Sequence, residues 1–166
     1  MAYVSLITAL LPPRIWAGAP GTQFTFLAPV GYDDVDGRMY RLFVTLGTVP
    51  GGDIDLSFSI VCDHTDGTVY DYWDSRDIGT IIPKEERGHI LAVLLQIVRD
   101  VIVQAQFPEV VMHTFLPNLP PKALVKYLKI EQEFTNLGYA VVRSVTPSSY
   151  YSWRFSRATA VPSASG

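Results

Sequence analysis

Residues 81–98, IIPKEERGHILAVLLQIV, run from an apolar strand-like end through a charged turn into an apolar helix. A helix N-terminus presents unpaired N–H groups and the positive end of a dipole, so such a turn is chemically able to hold a phosphate. The same pattern also serves as an ordinary strand-to-helix connection. A second stretch, VYDYWDSRD (69–77), sets Asp74 and Asp77 beside Tyr72 and Trp73. A carboxylate near a cationic amine can bind it and then take its proton, which is what an amine needs before it attacks a carbonyl. The competing reading is an exposed strand edge with alternating polar residues.

The remaining reactive residues are more isolated. DDVDG (33–37) lacks the later ligands and closing Glu of a calcium loop, and reads as a turn. His64, His89 and His113 are scattered without ligand spacing, so no metal site is expected. His89 falls in the charged turn; His113 alternates with Met112 and Thr114 on an expected central strand, as a core histidine or one reaching a cleft. Cys62 stands alone, which suits a reducing compartment and a packed thiol rather than a nucleophile. YYSWRFSR interleaves aromatic and basic side chains, but reads as a closing strand rather than a nucleic-acid surface.

The elements that must position these residues follow from period and punctuation. RMYRLFVTLGTV (38–49), IDLSFSIVC (54–62) and TVYDYWDSRDIGTII (68–82) read as strands joined by tight turns, Asp66-Gly67 marking one hairpin. Apolar positions at helical spacing over 84–106 predict a largely buried helix. EVVMHTFLP (109–117) is a strand. A second helix opens at the Pro pair 120–121 and stops near Gly138, and AVVRSV and YSWRFSRA close the sheet. The expected fold is one α/β (α+β) domain: a mixed, mostly antiparallel sheet in which a strand meander precedes helix, strand, helix and strands. Residues 1–37 form a Pro/Gly-rich segment with a short strand, 38–157 the domain proper, and 158–166 a polar tail.

An apolar fraction of 48% and a charged fraction of 17% are those of a globular chain. The net charge of −3 argues against nucleic acid as a partner. Residues 1–83 hold ten Asp and four Arg, whereas 84–166 hold nine Lys/Arg and six acids, so an anionic ligand suits the second half and a cationic one the first. No membrane span is expected, because Ile90 to Val103 is broken by Gln96, Arg99 and Asp100. MAYVSLITALLPPRIWAGA lacks a basic residue before its apolar run, so it does not read as a secretion signal. The expected setting is cytoplasmic.

The order of elements, with those two helices, resembles the GNAT-type N-acyltransferase family over roughly residues 38–157. Ile82-Pro83 matches the strand end that precedes the family's pyrophosphate turn, and ERGHILAVLL resembles its Arg-Gly-rich helix start. With Arg87 first in the motif, Ala92 is correctly last but Ile90 replaces the key glycine; with Gly88 as that glycine, Glu85 stands where Arg or Gln belongs. Gly138-Tyr139 matches the Gly-Phe that follows the family's second helix, yet four residues before Gly138 stands Phe134 where the family has its acid Tyr. Tyr127, seven residues earlier, lies near the same helix face.

The resemblance implies acetyl or other acyl transfer from acyl-CoA to an amine-bearing small molecule or protein. Ile82, Arg87, Gly88, His89, Ile90 and Phe134 would line the cofactor, Asp74 or Asp77 would act as base, and Tyr127 as acid. Backbone N–H groups near Gly79 to Ile82 would hold the oxyanion. The altered turn, Phe134 and the Pro/Ser/Ala-rich ends equally suit a non-catalytic domain of that fold, a structural or interaction subunit of a larger assembly such as a virus particle.

Overall fold

The computed structural model describes residues 3–7, 14–17, 23–72, 75–115, 123–146 and 149–157, without the side chains of 14–17, 75 and 76. The C-terminal tail and the Pro pair 120–121 lie outside the described residues.

Alternation of apolar and polar residues builds the long strands. β3 (Gln23–Asp33), β4 (Met39–Thr48) and β5 (Ile54–Asp63) form the antiparallel meander, pairing Val44 with both Phe26 and Phe58. β3 is bulged between Pro29 and Gly31, where proline's missing N–H is tolerated. β1 (Tyr3–Ser5) and β2 (Arg14–Ala17) both pair with β3, so the N-terminal segment is part of the same sheet. β6 (Val69–Tyr72) folds back on β5 through the turn at Gly67, whose φ of 86° explains the glycine.

The chain then departs from the expected strand over 68–82. Residues 75–81 form a short helix, α1 (Ser75–Ile81), not a continuation of β6. The N–H of Ile82 donates to the Ile78 carbonyl at 2.9 Å, so N–H groups near Gly79 to Ile82 serve a helix turn rather than an oxyanion site.

After α1 comes α2 (Arg87–Ala105), then β7 (Glu109–Phe115), α3 (Leu124–Asn136), β8 (Tyr139–Val145) and β9 (Tyr150–Arg157). Gly138, at φ 86°, ends α3. The result is a single α+β domain with a mixed, mostly antiparallel sheet, nine-stranded among the described residues and ordered β1-β3-β4-β5-β7-β9-β8 with β2 and β6 off this path. Among the described strands only β5 and β7 run parallel.

Both long helices cover one face of the sheet and meet through Arg99 and Glu133, 2.9 Å apart. α2 buries Ile90, Leu94, Ile97, Val98, Val101 and Ile102. By length and composition α2 is apolar enough to cross a membrane; here it packs on the sheet. α3 lays Phe134 on Phe155 (3.8 Å between centroids) and Tyr127 on Trp153 (5.1 Å). Among the described residues no helix covers the opposite face, where Arg41, Phe43, Thr45 and Ser57 are half-buried.

Candidate functional site

β5 and β7 touch at one bridge, Asp55 with Val111, and diverge beyond it. Farther along the same edge of β5, β6 pairs with residues 60–63. Among the described strands, residues 56–59 therefore have a partner only on the β4 side. This gap of four residues is about 13 Å long at the usual rise of a strand. Ser59 holds β6 in place by donating to Asp71 Oδ1 at 2.6 Å.

The gap opens into a cavity of about 380 Å3 under the helices. Phe58 and Ile60 come from β5, Ile78 from α1, Ile90, Leu91 and Leu94 from α2, and Val125 from α3; Ile82 closes the wall. The cavity's polar lining residues are Ser59, whose hydroxyl is bonded to Asp71, and the cationic Arg87 and Lys126. The Lys126 ammonium lies over the rings of Phe58 (5.2 Å) and Tyr127 (5.0 Å). The lining is thus an apolar chamber with two cationic residues on its wall.

The sequence-expected cofactor residues divide between this cavity and other places. Ile82, Arg87 and Ile90 line it together. Gly88 and His89 are exposed in the first turn of α2, and a Cβ on Gly88 would meet nothing within 4 Å. His89 pairs with Glu86 at 3.3 Å. Hydrogen bonds from Ser5 and His89 hold the Glu86 carboxyl below the usual glutamate range. A carboxylate thus occupies the helix end where an anion was expected. Arg87 donates through Nε to the Ile82 carbonyl (3.0 Å) and through Nη2 to that of Gly79 (2.8 Å). Phe134 is fully buried between Phe155 and Tyr139, in the interface of α3 with the sheet, and does not line the cavity.

The expected catalytic residues are also apart. Tyr127 is 7% exposed and donates its hydroxyl to Thr114 Oγ1 at 3.0 Å. Burial pushes its pKa up, the Thr114 hydrogen bond opposing. It sits behind Phe58, rings 5.8 Å apart. Asp77 is exposed on α1, one residue before the cavity-lining Ile78. Asp74 and Trp73 lie outside the described residues.

Sequence reasoning passed over one carboxylate. Asp55 stands at the apex where β5 and β7 part, on the helix-free face. Burial raises its pKa, and the nearby His113 draws it the other way. His113 follows Val111 by two residues, so it shares the face of Asp55. The signal available was a lone Asp inside the apolar alternation IDLSFSIVC. Among the described residues no cluster of His, Cys, Asp or Glu is arranged to hold a metal ion.

Compared with protein-family models, curated proteins and solved structures, the chain has no match.

Proposed function

We propose that this chain is an acyl-CoA-dependent N-acyltransferase of the GNAT type, passing an acyl group from a CoA thioester to an amine. One observation carries the reading: a β5 edge unpaired at residues 56–59 among the described strands, beside an apolar cavity walled by β5, α1, α2 and the start of α3. A strand edge offers alternating N–H and C=O groups to an extended amide-bearing chain such as the pantetheine arm. The apolar chamber suits the acyl end, and Arg87 and Lys126 suit its anionic end.

The cleft fits such a substrate better than the turn does. Glu86 sits at the helix N-terminus, and two N–H groups of Arg87 already serve carbonyl oxygens. Phosphates would therefore rely on Lys84, Lys126 and the remaining N–H groups of Arg87.

In this reading the amine approaches from the helix-free face. Asp55 accepts its proton, a role suited to a carboxyl whose pKa burial has raised. The nitrogen attacks the thioester carbonyl, an N–H of the β5 edge stabilises the oxyanion, and the C–S bond breaks. Water protonates the departing thiolate, because the Tyr127 hydroxyl is buried and committed to Thr114. Asp77 lies outside this sequence of steps, on the rim beside Ile78.

Thermal unfolding with added CoA and acetyl-CoA tests the proposal. Ligand at one hundred times its dissociation constant stabilises a protein by about 2.7 kcal/mol. A rise in Tm would support the reading; no rise at millimolar ligand would sink it. The second reading, a non-catalytic assembly subunit, is favoured by Tyr127 and Phe134 both being consumed in the core. Its mark would be a chain that binds no CoA ester and acylates no amine.

A further inference from the structure

The cavity is larger than an acetyl group requires, and its lining is mostly apolar. At roughly 30 Å3 per water-sized group, its volume of about 380 Å3 accommodates on the order of ten such groups. An ordered water needs two to four polar partners. Phe58, Ile78, Ile82, Ile90, Leu94 and Val125 offer none from their side chains. The two amides of a pantetheine arm belong on the edge of β5, where main-chain groups can pair with them, so the chamber beneath α2 is left for something apolar.

We propose that the acyl group taken by this cleft is a medium-length unbranched chain, of about eight carbons, rather than acetyl. This inference rests on the acyl-CoA reading above. The element that makes the chamber is α1: it supplies Ile78, and the bonds from Arg87 to Gly79 and Ile82 hold α1 against the start of α2. A chain running from the β5 edge between Ile78 and Leu94 exchanges water for methylene contacts along its length. Each fully buried methylene is worth about fourfold in affinity. Six more methylenes than acetyl give an upper limit of several thousandfold, and partial burial leaves about a hundredfold.

Calorimetric titration with octanoyl-CoA, acetyl-CoA and octanoate tests this. Octanoyl-CoA is expected to bind about a hundredfold tighter than acetyl-CoA. Val125→Trp fills the rim from a side chain that is 51% exposed and so leaves the fold intact; Leu94→Phe fills the depth. Both should erase the advantage of octanoyl-CoA over acetyl-CoA. Acetyl-CoA binding as tightly as octanoyl-CoA would overturn the chain-length inference while the acyltransferase reading stands. Octanoate binding with no affinity for either CoA ester would overturn both, and make the chamber a site for a free fatty acid. No binding of any of the three would likewise overturn both.

Discussion

Arg87, in the first turn of α2, reaches back to the Gly79 carbonyl of α1 at 2.8 Å and takes the Ile82 carbonyl through its Nε–H at 3.0 Å. One guanidinium thereby satisfies two carbonyls at the end of a seven-residue helix that is too short to be stable alone. Arg87→Ala should make the amides of 78–82 exchange hydrogen faster and cost about 1 kcal/mol, the usual worth of such bonds when water can replace them. Arg87→Lys, with no planar fork, should restore one bond at most. Hydrogen exchange of α1 unchanged in Arg87→Ala would mean that α1 is held by packing alone.

Near the same end of α2, β1 is fastened by a close approach. A Cβ placed on Gly31 would lie 2.3 Å from the Tyr3 ring, whose hydroxyl donates to the Val30 carbonyl at 2.7 Å. Gly31→Ala must expel that ring and should cost about 1–3 kcal/mol. Adding Tyr3→Ala to Gly31→Ala should then cost little more, since the same contact is already lost. Additive losses in a urea-melt cycle would contradict the close contact.

Glu131 joins α3 to the closing strand pair. Its carboxylate takes two bonds from Arg143 (2.7 and 2.6 Å) and the indole N–H of Trp153 at 3.0 Å. Trp153 is fully buried, so Glu131→Ala leaves its N–H without an acceptor and should cost about 1–3 kcal/mol. Glu131→Gln keeps an acceptor and should cost less. Chiefly through its Arg143 hydrogen bond, Glu131 has a pKa below the usual glutamate value. Its contribution is therefore complete above the ordinary glutamate pKa and lost as pH falls through the lower folded value. The gap between wild type and Glu131→Gln should close in acid; a gap independent of pH would rule out the ion pair as its source.

The strands were legible where alternation was long. IDLSFSIVC could bury one face only as a strand, and 84–106, apolar on nearly every side, only as a covered helix. TVYDYWDSRDIGTII misled because aromatic and β-branched residues favour a strand, while the bonds that secure α1 come from Arg87, outside that window. Helical spacing put Tyr127 near the face of Phe134, and could not foresee that its hydroxyl would meet Thr114 on β7. The apex at Asp55 escaped notice for the same reason: it exists only where β5 meets β7, more than fifty residues on.

Asp55 offers the test that separates fold from chemistry. Burial raises its pKa, the neighbouring His113 only partly opposing. The folded chain thus binds that proton more tightly than the unfolded one, and stability falls as pH rises from the ordinary aspartate range through the raised folded value. Asp55→Asn carries no charge to desolvate, so it should melt higher than wild type at neutral pH. Below the ordinary aspartate pKa, where both forms are neutral, the two should melt together. If Asp55 is the base, the same substitution should abolish acyl transfer while leaving CoA-ester affinity unchanged, since the β5 edge and the chamber are untouched. A variant that is less stable at neutral pH would show that the Asp55 carboxylate makes net favourable contacts, and full transfer activity in a stable variant would remove it from the mechanism.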